Sequence, residues 1–119
     1  MTVRRSRRGL TFADVARMAG TLPGVEEGTS YGTPSLHVRR KFVARLKEDG
    51  ETLVPGRSFV ERDHLVPADP ATYYVTDHYR DDPSVRVRLP NARADEMRAL
   101  VESAWRRVAT KRVVEAFDA

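Results

Sequence analysis

An α+β fold, in which a single antiparallel β-sheet carries an N-terminal and a C-terminal helix on one face, is predicted for this chain by three observations. Apolar residues recur at helical spacing near both ends, at Phe12, Val15, Ala16, Ala19 and Leu22 and again at Met97, Leu100, Val101, Ala104, Trp105 and Val108. Between roughly residues 33 and 54, apolar and polar residues alternate at strand spacing and are punctuated by turn signals. Finally, 119 residues with 40% hydrophobic side chains are enough for one core and one soluble domain.

Each element has its own local cause. Thr11, followed three residues later by Asp14, is a capping-box start in which the hydroxyl accepts an orphan backbone N–H. Pro23-Gly24 stops that helix, and Gly28 to Pro34 reads as the entry to a strand, because the residue before a proline is pushed toward extended geometry. Leu36 and Val38 share one face of the first strand. Arg39-Arg40 is a tight turn, and the next strand places Phe42, Ala44 and Leu46 inward against Val43, Arg45 and Lys47. Asp49-Gly50 predicts a primed hairpin turn into a third strand, Thr52 to Val54. Pro55 cannot donate to a ladder, so this strand is expected to be short or at an edge.

The middle of the chain is less regular. A helical turn or two is expected over Phe59 to Leu65, with a second helix start at Asp69-Pro70. Ser84 to Leu89 reads as a strand with Val85, Val87 and Leu89 inward and Arg86 and Arg88 outward. Residues 94–108 form the best helix, reinforced by i,i+4 pairs Arg98–Glu102 and Glu102–Arg106. Residues 1–10 are expected to be a basic, flexible tail, and 11–119 a single domain.

Composition excludes several function classes. There is no cysteine, hence no disulfide, thiolate ligand or cysteine nucleophile, which fits a reducing compartment. No apolar run approaches the roughly 20 residues needed to span a bilayer, and the basic start lacks the apolar stretch of a signal peptide, so no membrane partner and a cytoplasmic location are expected.

The net charge of +4 and pI near 9.8 are unevenly distributed. Arg4, Arg5, Arg7 and Arg8 precede the first helix, and setting them aside leaves the other basic residues balanced by the 17 acidic ones. Within that neutral body, residues 37–47 hold Arg39, Arg40, Lys41, Arg45 and Lys47 with no acid among them. Residues 103–112 hold Arg106, Arg107, Lys111 and Arg112, again with none. These segments make either one basic face or two separate solvated surfaces.

Motifs for catalysis and metal binding are absent. His37, His64 and His78 have no ligand partners at helical spacing, so no metal is expected. Ser30, Thr33 and Ser35 lie in no nucleophile elbow, which leaves no catalytic residue to nominate and no enzyme to expect. Gly28 to Thr33 superficially resembles a phosphate-binding loop but lacks its lysine and opens no helix, so no cofactor is implied. Aromatic residues make up 8%, with Phe42 and Trp105 assigned to the core, so base stacking is a weaker route to nucleic acid than phosphate contact.

Leu22-Pro23-Gly24-Val25-Glu26, Tyr31-Gly32-Thr33-Pro34, Lys41-Phe42-Val43-Ala44-Arg45-Leu46, His78-Tyr79 and Ala104-Trp105-Arg106-Arg107-Val108-Ala109 to Lys111-Arg112 stand in an order that resembles the YjbR/MmcQ family of small bacterial α+β proteins. The resemblance runs over about residues 11 to 118. It implies a fold like that of the bacterial frataxin homologue CyaY, together with a proposed DNA-binding role. Pro55-Gly56 departs from the pattern where relatives continue the strand, and Asp81-Asp82 places acid near the expected basic surface. The carboxylate ridge that iron binding would need on the first helix is reduced here to Asp14.

The leading expectation is therefore a DNA-binding module that contacts phosphates through Arg39, Arg40 and Lys41 at a hairpin tip and through Arg106, Arg107, Lys111 and Arg112. One alternative is a small-molecule-binding protein or enzyme with a polar pocket near Tyr31, Thr33, His37, His78 and Tyr79. Another is a protein-interaction domain. A monomer is the favoured oligomeric state.

Overall fold

The computed structural model describes residues 9–56, 59–75 and 85–119, with the main chain alone at 59 and 60. Arg4, Arg5, Arg7, Arg8, His78, Tyr79, Asp81, Asp82 and Ser84 lie outside the described residues. The chain runs α1 (Phe12–Ala19), β1 (Val25–Ser30), β2 (Thr33–Val38), β3 (Lys41–Leu46), β4 (Thr52–Pro55), α2 (Phe59–Ala68), β5 (Tyr73–Tyr74), β6 (Arg86–Arg88), a 3₁₀ turn at Leu89–Asn91, α3 (Ala94–Val108) and α4 (Lys111–Asp118). Among the described residues, six strands form one antiparallel sheet in the order β1-β2-β3-β4-β6-β5.

The helices form as their caps and stripes dictate. Thr11 and Asp14 make the reciprocal capping box, and Val15, Met18 and Ala19 turn inward from α1. That helix stops at Ala19, three residues short of the predicted stripe, yet Leu22 is still buried because the following turn folds it back. On α3, Met97, Leu100, Val101, Ala104 and Trp105 are all buried, as the spacing predicts. Both helices pack on each other and on one face of the sheet, over Leu36, Val38, Ala44, Leu53 and Val87. The Trp105 indole N–H donates to the Pro23 carbonyl at 2.8 Å, which ties α3 to the loop leaving α1.

The sheet departs from the sequence reading in four places. The first is β1, which is a full strand and not merely an approach to β2. Its residues Val-Glu-Glu-Gly-Thr-Ser have no apolar alternation because it is an edge strand held by main-chain pairing, with four exposed residues in the middle. Second, Leu36 pairs with Ala44 while His37 pairs with Phe42, so Val43 is an extra residue in β3. This bulge turns Val43 and Ala44 both into the core and puts Phe42 on the outer face, its ring edge-on to His37 at 6.1 Å. The inward assignment of Phe42 is thus corrected.

Third, Asp49 does not adopt positive φ; Gly50 alone does, and the Asp49 carboxylate instead accepts from the Glu51 and Thr52 amides, each at 2.9 Å, and from the Thr52 hydroxyl. Fourth, no helix starts at Asp69-Pro70: the Asp69 carbonyl accepts from the Thr72 and Tyr73 amides, making a turn into β5. β4 is short, as expected, but internal. Of the β4 residues, β6 pairs with Thr52 and Leu53, so Pro55 sits beyond the ladder that would need its missing N–H.

Gly9 and Leu10, grouped with the tail on sequence grounds, are bonded to the body: their amides donate to the carbonyls of Ala92 at 3.0 Å and Leu89 at 2.8 Å, and Leu10 is buried. α4, which the apolar spacing did not announce, begins where the Thr110 hydroxyl accepts the Val113 amide at 3.2 Å.

Two hairpins use two-residue primed turns. Tyr31-Gly32 joins β1 to β2 with φ of 54° and 79°, and Arg39-Arg40 joins β2 to β3 with φ of 52° and 69°. Type I′ geometry matches strand twist but favours Asn-Gly, and an arginine in the left-handed region is strained by about 1–2 kcal/mol. The double variant Arg39→Asn with Arg40→Gly is therefore expected to raise stability by about 1–2 kcal/mol. Thermal unfolding followed by circular dichroism checks this, and an unchanged or lower midpoint would refute it.

Candidate nucleic-acid interface

The strained turn presents its cations on two sides. β2 and β3 emerge from the middle of the sheet, and α3 lies across β3, so the hairpin tip comes close to the end of α3. Arg39 and Lys41 line one cleft of about 250 Å³ with Arg107, Val108, Ala109 and Thr110. The walls of this cleft are thus the hairpin and the α3–α4 junction. Arg40 goes the other way, into a depression of about 340 Å³ that it shares with Glu26, Glu27 and His37.

Carboxylates divide the seven sequence-nominated cations further. Arg106 is tied to Asp118 by two bonds, at 3.0 and 2.6 Å, and to Glu102 at 3.1 Å. The Asp118 and Glu102 hydrogen bonds hold the Arg106 guanidinium above its ordinary pKa, and Arg106 in turn holds the Asp118 carboxyl below its own. Arg107 donates to Ser103 at 3.0 Å and pairs with Glu61 of α2 at 3.0 Å. Lys111 stands 4.0 Å from Glu115 and is largely in solvent. Among the described residues no carboxylate lies in ion-pair range of Arg39, Lys41 or Arg112.

Charge placement on α4 runs against its own helix. Lys111 and Arg112 occupy the first turn, where the macrodipole favours anions, and Asp118 occupies the last, where it favours cations. Each such placement costs a helix roughly 0.3–1 kcal/mol, so stability of α4 does not account for these cations. They follow directly on Thr110, which lines the cleft.

The residues of the alternative polar pocket do not converge in the same way. Tyr31 is 86% exposed, with the Arg45 guanidinium 5.2 Å from its ring centre. Thr33 is buried and donates to the Ser30 carbonyl at 2.9 Å. His37 lines the depression holding Arg40, which neither Tyr31 nor Thr33 enters, and its Nε2 lies 2.6 Å from the Ser35 hydroxyl. Ser35 is fully buried under this contact, which denies it the exposure a nucleophile needs. His78 and Tyr79 fall outside the described residues.

Sequence reading missed two partners of the cleft. Glu61 is 46 positions from Arg107 and gave no signal of contact. Thr110 did give one, since a threonine before Lys-Arg-Val-Val is a helix start, although the short α4 follows so closely on α3 that the two read as one basic segment.

What fold and site define together is a six-stranded α+β domain with a cationic cleft at one hairpin tip. The uncharacterised protein Rv2570 of Mycobacterium tuberculosis is 30% identical over 125 aligned positions, covering 90% of this chain and 95% of that protein, and the uncharacterised protein Mb2600 of Mycobacterium bovis matches to the same extent. The chain belongs to the family of these mycobacterial proteins. No protein-family model matches it. Among solved structures, the Deinococcus radiodurans protein DR2400, a domain of the DUF419 family, superimposes with a TM-score of 0.69 at 19% identity, covering 85% of this chain and 80% of that one. That likeness concerns the fold. No helix among the described residues is long and apolar enough to cross a membrane.

Proposed function

We propose that the protein is a nucleic-acid-binding module of the YjbR/MmcQ type that holds the phosphate backbone of duplex DNA in the cleft between the β2–β3 hairpin and the α3–α4 junction. One observation carries this reading: Arg39 and Lys41 from the hairpin and Arg107 from α3 share a cleft, and the first two are not neutralised by any described carboxylate. Backbone contact of this kind requires cations in register with phosphates and no base-specific side chain. Lys111 and Arg112, which follow Thr110, extend the cationic surface, whereas Arg106 is occupied with Asp118 and Glu102 and Arg40 lies in the separate depression with Glu26 and Glu27, so these two contribute little.

Titration of fluorescent duplex DNA between about 50 and 200 mM salt tests the reading. With three to five phosphates neutralised, the slope of log K against log salt is expected between about −2.7 and −4.5, at about 0.9 per phosphate. Absence of binding at low salt, or affinity that ignores salt, would overturn it.

Glu61 competes with phosphate for Arg107. Glu61→Gln should therefore strengthen DNA binding, by roughly 2- to 5-fold given the modest worth of a partly exposed ion pair. Weaker binding by this variant would show that Glu61 positions Arg107 instead of neutralising it.

A second reading, a protein-interaction domain, is favoured by the open, six-residue edge of β1, whose outer main-chain groups are available to another strand. Sedimentation that shows a concentration-dependent dimer, lost on inserting proline at Thr29, would support it.

A further inference from the structure

On the opposite side of Glu61 from the cationic cleft, α2 and α3 leave a groove between them of about 290 Å³. Its two walls are built alike, from residues at i, i+3 and i+4: Glu61, His64 and Leu65 on α2, and Glu96, Ala99 and Leu100 on α3. Leu65, Ala99 and Leu100 make an apolar floor. The volume is that of a small ligand site, and an apolar surface with a few convergent polar groups is the general character of such sites.

The polar groups on the rim are two carboxylates, Glu61 and Glu96, and the imidazole of His64. Glu61 is already engaged with Arg107, but Glu96 is not matched by a described cation. Its Oε1 accepts the hydroxyl of the buried Tyr73 at 2.8 Å, which fixes the carboxylate over the groove and leaves Oε2 without a bond to any described residue. Burial and the neighbouring Glu96 both push the Tyr73 hydroxyl well above its ordinary pKa, so it stays a donor and never a competing anion. A neutral apolar guest would strip water from this carboxylate without replacing it, and an anionic guest would be repelled.

We propose that this groove is a binding site for a small amphiphilic cation, an aryl- or alkylammonium, whose apolar body lies on Leu65, Ala99 and Leu100 and whose ammonium group donates to Glu96. The groove touches the cationic cleft through the Glu61–Arg107 pair, but the ammonium contact at Glu96 uses none of the cleft's cations.

Benzylamine, benzyl alcohol and benzoate are nearly isosteric probes that differ in charge, and amide chemical shifts of the full chain report which of them binds and where. Benzylamine is expected to move the amides around Leu65, Ala99 and Leu100 and to bind about tenfold or more tightly than benzyl alcohol, the margin of a charge-assisted hydrogen bond, with benzoate not binding. Glu96→Gln keeps an acceptor for Tyr73 and should bring the amine and the alcohol to within about twofold of each other. Ala99→Phe, at an exposed position, fills the groove and should abolish binding of both while leaving the unfolding midpoint unchanged. The proposal is overturned if benzyl alcohol matches benzylamine in the native chain, if Glu96→Gln preserves the preference, if the shifts map elsewhere, or if no saturable shift occurs below about 10 mM amine.

Discussion

Replacing Arg39, Lys41 and Arg107 together by alanine is expected to weaken duplex DNA binding on the order of 100-fold at low salt, from about 1 kcal/mol for each lost phosphate contact. The salt slope should also fall by about 3, since each contact removed releases one fewer counterion equivalent. Fluorescence anisotropy over a salt series measures both quantities. Arg40→Ala is the internal control: its neighbours are Glu26, Glu27 and His37, not the cleft, so its loss should cost no more than about 3-fold. Equal losses from Arg40→Ala and from the triple variant would mean that the hairpin acts only through its total charge, and the cleft would lose its special standing. Arg39, Lys41 and Arg107 are exposed, and the partly exposed Arg107–Glu61 pair contributes no more than about 1 kcal/mol, so the triple variant should unfold near the native midpoint, which separates lost binding from lost folding.

Trp105→Ala should be the most damaging single substitution to the fold, at about 3–5 kcal/mol. Three contributions meet at this side chain. The ring is fully buried in the core, Nε1 satisfies the Pro23 carbonyl, and Phe117 packs against it edge-to-face with centroids 5.0 Å apart. Since a domain of this size has roughly 5–15 kcal/mol of stability in total, the variant should be marginally folded, with a midpoint lowered by roughly 15–30 °C. Trp105→Phe keeps most of the volume and removes the hydrogen bond, and about 1–3 kcal/mol is the expected cost of an orphaned carbonyl with the smaller ring. Urea unfolding checks both. A loss below about 1 kcal/mol for the alanine variant would mean that α3 and the α1 loop close over the gap without strain.

The helices were legible because their chemistry is local. A hydroxyl at Thr11 and a carboxylate at Asp14 cap α1 wherever it packs, and the stripe from Met97 to Trp105 identifies its buried face by spacing alone. The Arg39-Arg40 turn was legible for a related reason, since two arginines between alternating strands have nowhere else to go. Strand β1 was hidden because an edge strand with one neighbour is held by backbone groups that every sequence has. Phe42 misled because a bulge at Val43 is decided by how β3 meets β2 and α3, and no residue type announces it.

The sequence by itself determined the α+β class, both long helices with their buried faces, the hairpin carrying Arg39 to Lys41, and the set of cations from which any basic site must be drawn. Tertiary structure decided which of those cations act together. It brought Arg39 and Lys41 to Arg107, turned Arg40 toward Glu26 and Glu27, bound Arg106 to Asp118, and opened the groove between α2 and α3. The cause is range: caps, stripes and turns depend on neighbours three or four residues away, whereas the charge of Arg107 is cancelled by a carboxylate 46 positions distant in sequence and 3.0 Å away in space.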